Sequence, residues 1–251
     1  MRLALISDIH GNSIALDAVL ADVAAMGGAD AWWVLGDLVA LGHDPVGVLE
    51  RVAALPNAQY LSGNTERYVL TGAVPFPRAE HVAADPSLAP RALEVTANFA
   101  WTRGIVTYAG WWDWLCALPR TVRTELPDGT RVLGVHASPG SDDGPGISTR
   151  IDDDALAQLL DGCDADIVFG GHTHDAVDRV VGDLRAVNLG SVGNSKRADR
   201  RASYVVVDAD EHGHTIEHRL VDYDHEAVCA AIDAVAHPAG HYLKTFQVVT
   251  S

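Results

Sequence analysis

Seven residues at the ends of strand-like runs set the chemistry open to this chain: Asp8, His10, Asp37, Asn64, His136, His172 and His174. The most telling stretch is Ile167-Val168-Phe169-Gly170-Gly171-His172-Thr173-His174, an apolar run that breaks off in two glycines and two imidazoles. A short apolar run closed by a turn signal predicts a strand buried on both faces, with the glycines turning the chain at its end. His172 and His174 stand two apart, so in an extended segment both are expected to point the same way. Asp8-Ile9-His10 repeats that spacing after the apolar run 3–6. Asp37 follows the run 31–35, Asn64 follows 59–61, and His136 follows 131–135. Any one of these ends is weak evidence, and their recurrence carries the reading. Carboxylate, amide and imidazole donors without a thiolate suit divalent ions of intermediate hardness, and this set is large enough for two ions sharing one carboxylate.

The elements that must position these groups follow from periodicity and punctuation. Residues 3–6, 31–35 and 59–61 are predicted strands. Asn12 or Ser13 is placed to cap a helix carrying Ile14, Leu16, Ala18, Val19 and Val23 and ending near Gly27-Gly28. Pro45 opens a helix with Val48, Leu49, Val52 and Leu55 on its apolar face. Strands alternating with helices, with ligand-capable residues at the strands' carboxyl ends, match the place where open α/β sheets carry their sites. Residues 71–119 break the pattern with Pro75, Pro77, Pro86 and Pro90, then Trp101, Trp111, Trp112 and Trp114. We expect a largely helical insertion whose tryptophans pack internally, a lid over the site being the other reading. Beyond it, strands are expected at 121–126 and 131–135 around the turn Pro127-Asp128-Gly129, and a helix at 152–160 stopped by Gly162. Residues 177–181, 185–188, 203–208 and 215–221 read as antiparallel strands of a second sheet, and 224–236 as a closing helix.

A chain of 251 residues buries a sizeable core, and one α/β domain is expected. The net charge of -16, with lysine only at Lys196 and Lys244, argues against long nucleic acid or an anionic membrane as partner, because such binding rests on many cations. A metal could still present local positive charge to a small anion. Cys116, Cys163 and Cys229 are scattered and are expected to be core thiols in a reducing compartment. The apolar start meets Ser7-Asp8 too soon for a secretory signal, and no run approaches the roughly 18 apolar residues of a membrane span, so a cytoplasmic location is expected.

The order Asp8-x-His10, Gly36-Asp37, Gly63-Asn64, His136, Gly171-His172-x-His174 resembles the motif series of the calcineurin-like metallophosphoesterases. Gly36-Asp37-Leu38-Val39-Ala40-Leu41-Gly42-His43-Asp44-Pro45 and Asn188-Leu189-Gly190-Ser191-Val192-Gly193 are similar to loops of a bacterial and archaeal branch of small phosphoesterases. The resemblance runs over nearly the whole chain. It implies a four-layer α/β/β/α sandwich, two mixed sheets face to face with helices outside. It also implies two divalent metal ions, manganese expected, with iron, zinc, cobalt or nickel compatible. Asp8, His10, Asp37 and His174 would hold one ion, and Asp37, Asn64, His136 and His172 the other. The implied reaction is hydrolysis of a small phosphoester or nucleotide by a metal-bridging hydroxide.

Many members carry a histidine directly after the Gly-Asn, thought to protonate the leaving oxygen, where this chain has Thr65. That substitution leads us to expect a phosphodiesterase, with 2′,3′-cyclic nucleotides as fitting substrates and a phosphomonoesterase or dinucleoside polyphosphate hydrolase as alternatives. Thr65 and Asn12 are the candidate substrate-binding residues, although Asn12 also suits a helix cap. His43 is a candidate acid, with a surface position in a Gly/Pro turn as the plainer expectation. Lys196, Arg197, Arg200 and Arg201 form the one basic run, able to meet a second phosphate but more simply a solvated face. The remaining histidines match no motif. The rival from another class is a protein-binding scaffold, like the retromer subunit of this fold; it requires an eroded metal site, and all seven positions are filled here.

Overall fold

Alternation along the strands decides the layering. In the computed structural model, which describes residues 1–248, the chain runs β1 (Arg2–Ile6), α1 (Ser13–Ala25), β2 (Ala31–Leu35), α2 (Pro45–Ala53), β3 (Ala58–Leu61) and α3 (Asn64–Thr71). The helices α4 (Ala79–Ala84), α5 (Ala89–Tyr108) and α6 (Trp112–Cys116) follow, then β4 (Thr121–Glu125), β5 (Arg131–Val135), α7 (Asp153–Leu159) and β6 (Ile167–Gly170). The chain closes with β7 (Val177–Val181), β8 (Leu184–Asn188), β9 (Ala202–Asp210), β10 (Gly213–Val221), α8 (His225–Ala234) and α9 (Gly240–Lys244). One sheet has the order β10-β9-β1-β2-β3 and the other β4-β5-β6-β8-β7, five strands each. Both are mixed: β1, β2 and β3 run parallel with β9 antiparallel beside them, while β5, β6 and β8 run parallel with β4 and β7 antiparallel at the edges.

Successive side chains of a strand point to opposite faces. Leu3 and Leu5, Trp33 and Leu35, and Val205 and Val207 therefore meet Val132, Ile167, Phe169 and Val187 between the sheets. Ala4 and Ile6, Trp32 and Val34, and Tyr204 and Val206 face outward, onto Leu16 and Val19 of α1, Val48 and Leu49 of α2, and Val228 and Ile232 of α8. On the far side, Leu133, Val135 and Val168 receive Leu156 of α7. The result is the expected four-layer sandwich of two mixed sheets flanked by helices.

The four C-terminal strands do not form a second sheet together. β9 and β10 return to the first sheet, where β9 pairs antiparallel with β1, and only β7 and β8 join the second. Period-2 alternation fixes which face a residue takes but not which neighbour its strand pairs with. The loop after β8 makes the crossing, pinned by Val192 N–H to Ser7 O at 3.1 Å and Gly193 N–H to Asp8 O at 2.9 Å.

Between α3 and β4 the chain is helical, and its tryptophans pack. Trp111 and Trp114 meet edge-to-face at 5.5 Å, Trp114 also meets Tyr60 at 5.2 Å, and Trp101 lies 4.2 Å from the ring of His237. The thiols are not all in the core: Cys163 is buried, Cys229 half-buried and Cys116 exposed, because Cys116 ends the short surface helix α6. Among the described residues, no helix is long and apolar enough to cross a membrane.

Candidate metal centre

The loops leaving the strands are bent back on themselves. Asp8, His10, Asp37, His172 and His174 all adopt left-handed backbone conformations, with φ of 56°, 53°, 55°, 67° and 58°. Non-glycine residues enter this region at a cost, and such strain persists where the surroundings over-determine it. Here the surroundings are other loops. Asp8 N–H reaches Gly36 O at 3.0 Å and His10 N–H reaches Asp37 O at 2.9 Å, tying the ends of β1 and β2 together. Ser191 Oγ donates to Asp8 O at 2.8 Å. Gly63 and Gly171 are required by close approach, since a Cβ at Gly63 would strike Asp37 Oδ1 and one at Gly171 would strike Ser7 Oγ and Asp8 Oδ2.

The turned backbone sends the two histidines that follow β6 to different places, contrary to the extended geometry expected of them. His174 faces Asp8 and His10: its Nε2 lies 3.1 Å from Asp8 Oδ1 and 3.0 Å from His10 Nε2. His172 faces Asn64, with Nδ1 2.8 Å from Asn64 Oδ1, to which His136 Nε2 also comes within 2.9 Å. Asp37 lies between the two groups, Oδ2 3.8 Å from His10 Nε2 and Oδ1 3.3 Å from His136 Nε2. One donor atom each from Asp8, His10, Asp37 and His174, all buried, falls within 4.8 Å of the others, a group able to hold a metal ion.

The far nitrogens fix the tautomers. His10 Nδ1 donates to Ala40 O at 3.0 Å, His174 Nδ1 to Asn194 O at 2.6 Å and His136 Nδ1 to Leu35 O at 2.7 Å. A carbonyl only accepts, so each neutral ring turns a bare Nε2 lone pair toward the centre. His172 is reversed, its Nε2 meeting Gly144 O at 3.1 Å and its Nδ1 facing inward. The His10 and His174 lone pairs, opposed at 3.0 Å, repel while both rings are neutral, and in the second group Asp37 instead favours a proton on His136, whose Nε2 faces Asn64 Oδ1 at 2.9 Å. A divalent cation removes the repulsion, and backbone carbonyls behind ligating imidazoles are the usual support of a metal site. The residues present fit such an ion.

Charge in the cluster follows the same pattern. Burial is the largest single effect and raises both carboxyls, but the neighbouring groups together, led by His174 at Asp8 and by His136 at Asp37, hold both below the usual carboxylate range. Burial pushes His10 down to about 4, only partly opposed by Asp37. At His136 the burial effect is overcome by Asp37, which pushes the imidazole up to about 10. Two fully desolvated carboxylates demand positive charge close by.

Thr65 gives its backbone N–H and its hydroxyl to Asp37 Oδ1, both at 2.9 Å. Asn12 caps α1, accepting from Ala15 N–H at 3.1 Å, while its amide donates to Gly193 O at 3.3 Å. His43 is buried rather than on the surface, because the loop before α2 folds against Gly11 through Asp44 N–H to Gly11 O at 2.8 Å. The basic run does not line the centre: Lys196 donates to Thr173 O at 2.5 Å, Arg197 and Arg201 pair with Asp199, and Arg200 donates to Ser195 O at 2.6 Å.

One residue given no role from the sequence does much of the positioning. Glu66 is fully buried and accepts N–H groups of Asp37 at 2.7 Å, Leu38 at 2.8 Å and Gly63 at 2.9 Å. It clamps the loop after β2 to the loop after β3. Burial and then the charge of Asp37 push its carboxyl up to about 7, against the pull of those amides. The available signal was its place three residues after Gly63, the N3 position of a capping box.

At the centre lies a cleft of about 220 Å³, whose lining includes His10, Asp37, Asn64, Thr65, His172 and His174 together with Tyr68, Phe76, Val95, Phe99 and Tyr242.

The family model of the calcineurin-like phosphoesterase superfamily domain matches residues 1–212. The chain belongs to this superfamily. It is 27% identical over 237 residues to an uncharacterized protein of Methanocaldococcus jannaschii, covering 88% of each chain. A metallophosphoesterase of Sphaerobacter thermophilus superposes with a TM-score of 0.74 at 25% identity, over 99% of this chain and 98% of that one. A hypothetical protein of Pyrococcus horikoshii shares the fold, with a TM-score of 0.81 at 17% identity over 100% and 98% of the two chains. This metallophosphoesterase is accordingly a metal-dependent phosphoester hydrolase rather than a bare scaffold, with a cluster of Asp and His able to bind the metal.

Proposed function

We propose that this metallophosphoesterase is a two-metal phosphodiesterase acting in the cytoplasm on small nucleotides, with 2′,3′-cyclic nucleotides the fitting case and manganese the expected metal. Asp8, His10, Asp37 and His174 hold one ion in this reading, and Asp37, Asn64, His136 and His172 the other. The position of Asp37 between the two groups supports its sharing. When bound, the two ions supply an activated water and neutralise the phosphoryl oxygens. Thr65 and Glu66 hold Asp37 and its loop in place for this. The whole chain is read as one domain, with residues 71–119 an insertion that walls the cleft. The free cysteines support a reducing compartment.

The preference for diesters rests on one observation: the Thr65 hydroxyl is spent on Asp37 Oδ1. Apart from the candidate ligands, among the described residues only Tyr68 and Tyr242 bring an ionisable proton to the cleft. Burial raises both, and the Tyr68 hydroxyl is given to Asp143 Oδ2 at 2.5 Å. The leaving oxygen thus receives little protonation, which penalises an unstrained alkyl monoester most and a strained cyclic diester least. The test compares kcat/KM for a 2′,3′-cyclic nucleotide and a simple sugar phosphate in wild type and Thr65→His. The wild type is expected to prefer the cyclic diester and the histidine variant to move toward the monoester. Wild-type preference for the sugar phosphate, or an unmoved ratio, contradicts the reading.

A further inference from the structure

The cleft is lined by two unlike sets of residues, and the metal centre accounts for only one of them. Besides the candidate ligands, the lining holds Tyr68, Phe76, Val95, Phe99 and Tyr242, drawn from α3, the insertion and α9. Most of this wall is packed. Tyr68 and Phe99 meet edge-to-face at 5.5 Å, and Tyr242 meets Phe246 edge-to-face at 4.7 Å and the Arg91 guanidinium 3.4 Å from its centroid. Phe76 differs: it is 60% exposed, with the His81 ring 4.8 Å away. An aromatic ring left in water at the lip of a site gains by stacking on a flat partner.

Charge narrows the partner further. Among the described residues no Lys or Arg lines the cleft. Of the cations nearby, Arg67 pairs with Asp142 at 2.9 Å, Arg103 donates to Val69 O at 2.8 Å and Arg91 is stacked on the Tyr242 ring. A substrate with several phosphates would find little countercharge in the lining beyond the metals, whereas one phosphoryl group carrying a flat apolar appendage matches both sets of residues.

We infer that the wall around Phe76 is a subsite for a planar aromatic group, such as a nucleobase, on the phosphoester whose phosphoryl group the metal centre takes. This rests on the phosphoesterase reading of the same cleft and adds the part of the substrate that the metals do not recognise. Phe76 is a specificity residue here, touching the appendage and not the reacting atoms.

The experiment uses two matched pairs on the manganese-loaded protein: adenosine 2′,3′-cyclic phosphate against the methyl riboside 2′,3′-cyclic phosphate, and adenosine 5′-monophosphate against ribose 5-phosphate. Within each pair the leaving oxygen is of the same kind, and one member carries a base where the other does not. Preference between pairs tests the diesterase reading, and preference within a pair tests the subsite, so the two can fail separately. We expect the base to raise kcat/KM about tenfold in whichever pair is turned over, as stacking on an aromatic side chain supplies. Calorimetric binding of adenosine 2′-monophosphate should likewise be tighter than that of the methyl riboside 2-monophosphate. Phe76→Ala should remove most of both differences with an unchanged melting temperature, its ring being exposed. Phe76→Leu keeps an apolar surface without a flat face and should lose most of them too. Equal turnover within the active pair, or a leucine variant with the full preference, overturns the inference.

Discussion

Thr65 donates both its backbone amide and its hydroxyl to a single oxygen of Asp37, each at 2.9 Å. The two bonds hold Oδ1 in one orientation, leaving Oδ2 turned toward His10 at 3.8 Å. Thr65→Val keeps the amide and the shape but removes the hydroxyl. Outer partners of metal-binding groups typically contribute a factor of 10–100 in affinity. We expect calorimetric manganese affinity to fall by about tenfold in the valine variant and to return in Thr65→Ser. Unchanged affinity in Thr65→Val would show that the hydroxyl positions nothing.

Glu66 accepts amides on both of its oxygens, from Asp37 and Gly63 on one and Leu38 on the other. Glu66→Gln puts an NH2 group against one of these donors, so at least one buried N–H loses its acceptor. The expected cost is about 2 kcal/mol of stability in the metal-free protein, read from urea unfolding. Stability equal to wild type would mean the clamp is not formed.

Much of the frame was legible because burial and period-2 alternation leave a strong signal in short strands such as Ile167–Gly170. The pairing of β9 with β1 was not, since alternation names faces and not neighbours. His172 and His174 diverge because their backbones are left-handed, which spacing along an extended strand cannot express. His43 was misread as surface because the folding of its loop onto Gly11 is a tertiary event. The apolar wall was invisible for a related reason: Tyr68, Phe76, Phe99 and Tyr242 lie on separate elements and meet only after folding.

His237 is buried against Trp101, accepts Ala239 N–H at 3.0 Å and leaves Nε2 without a partner among the described residues. Burial pushes its pKa down from 6.5 to about 4. Between those values the unfolded chain binds a proton that the folded chain does not, so stability rises with pH through this window and is lost on acidification. The loss should be on the order of 2 kcal/mol. His237→Phe should flatten this part of the stability profile measured by thermal melts from pH 7 to pH 4. A variant profile parallel to wild type would assign the acid sensitivity elsewhere.

His172 and His174 turn to opposite groups, so His172→Ala and His174→Ala should each weaken a different ion while the fold persists. Imidazoles at a strand's end contribute little packing, and metal-free melting temperatures should stay near wild type while activity collapses. A large drop in metal-free stability for either variant would give that histidine a structural role.

The central claim is that Asp37 serves two ions at once. Elemental analysis of protein purified without chelator, combined with turnover of an aryl phosphodiester, tests it in wild type and Asp37→Asn. We predict two metal ions per chain in wild type, and in the variant weakened binding of both with most activity lost, because the substitution removes the one charge both ions share. Stoichiometric metal and near-normal turnover in Asp37→Asn would contradict the account.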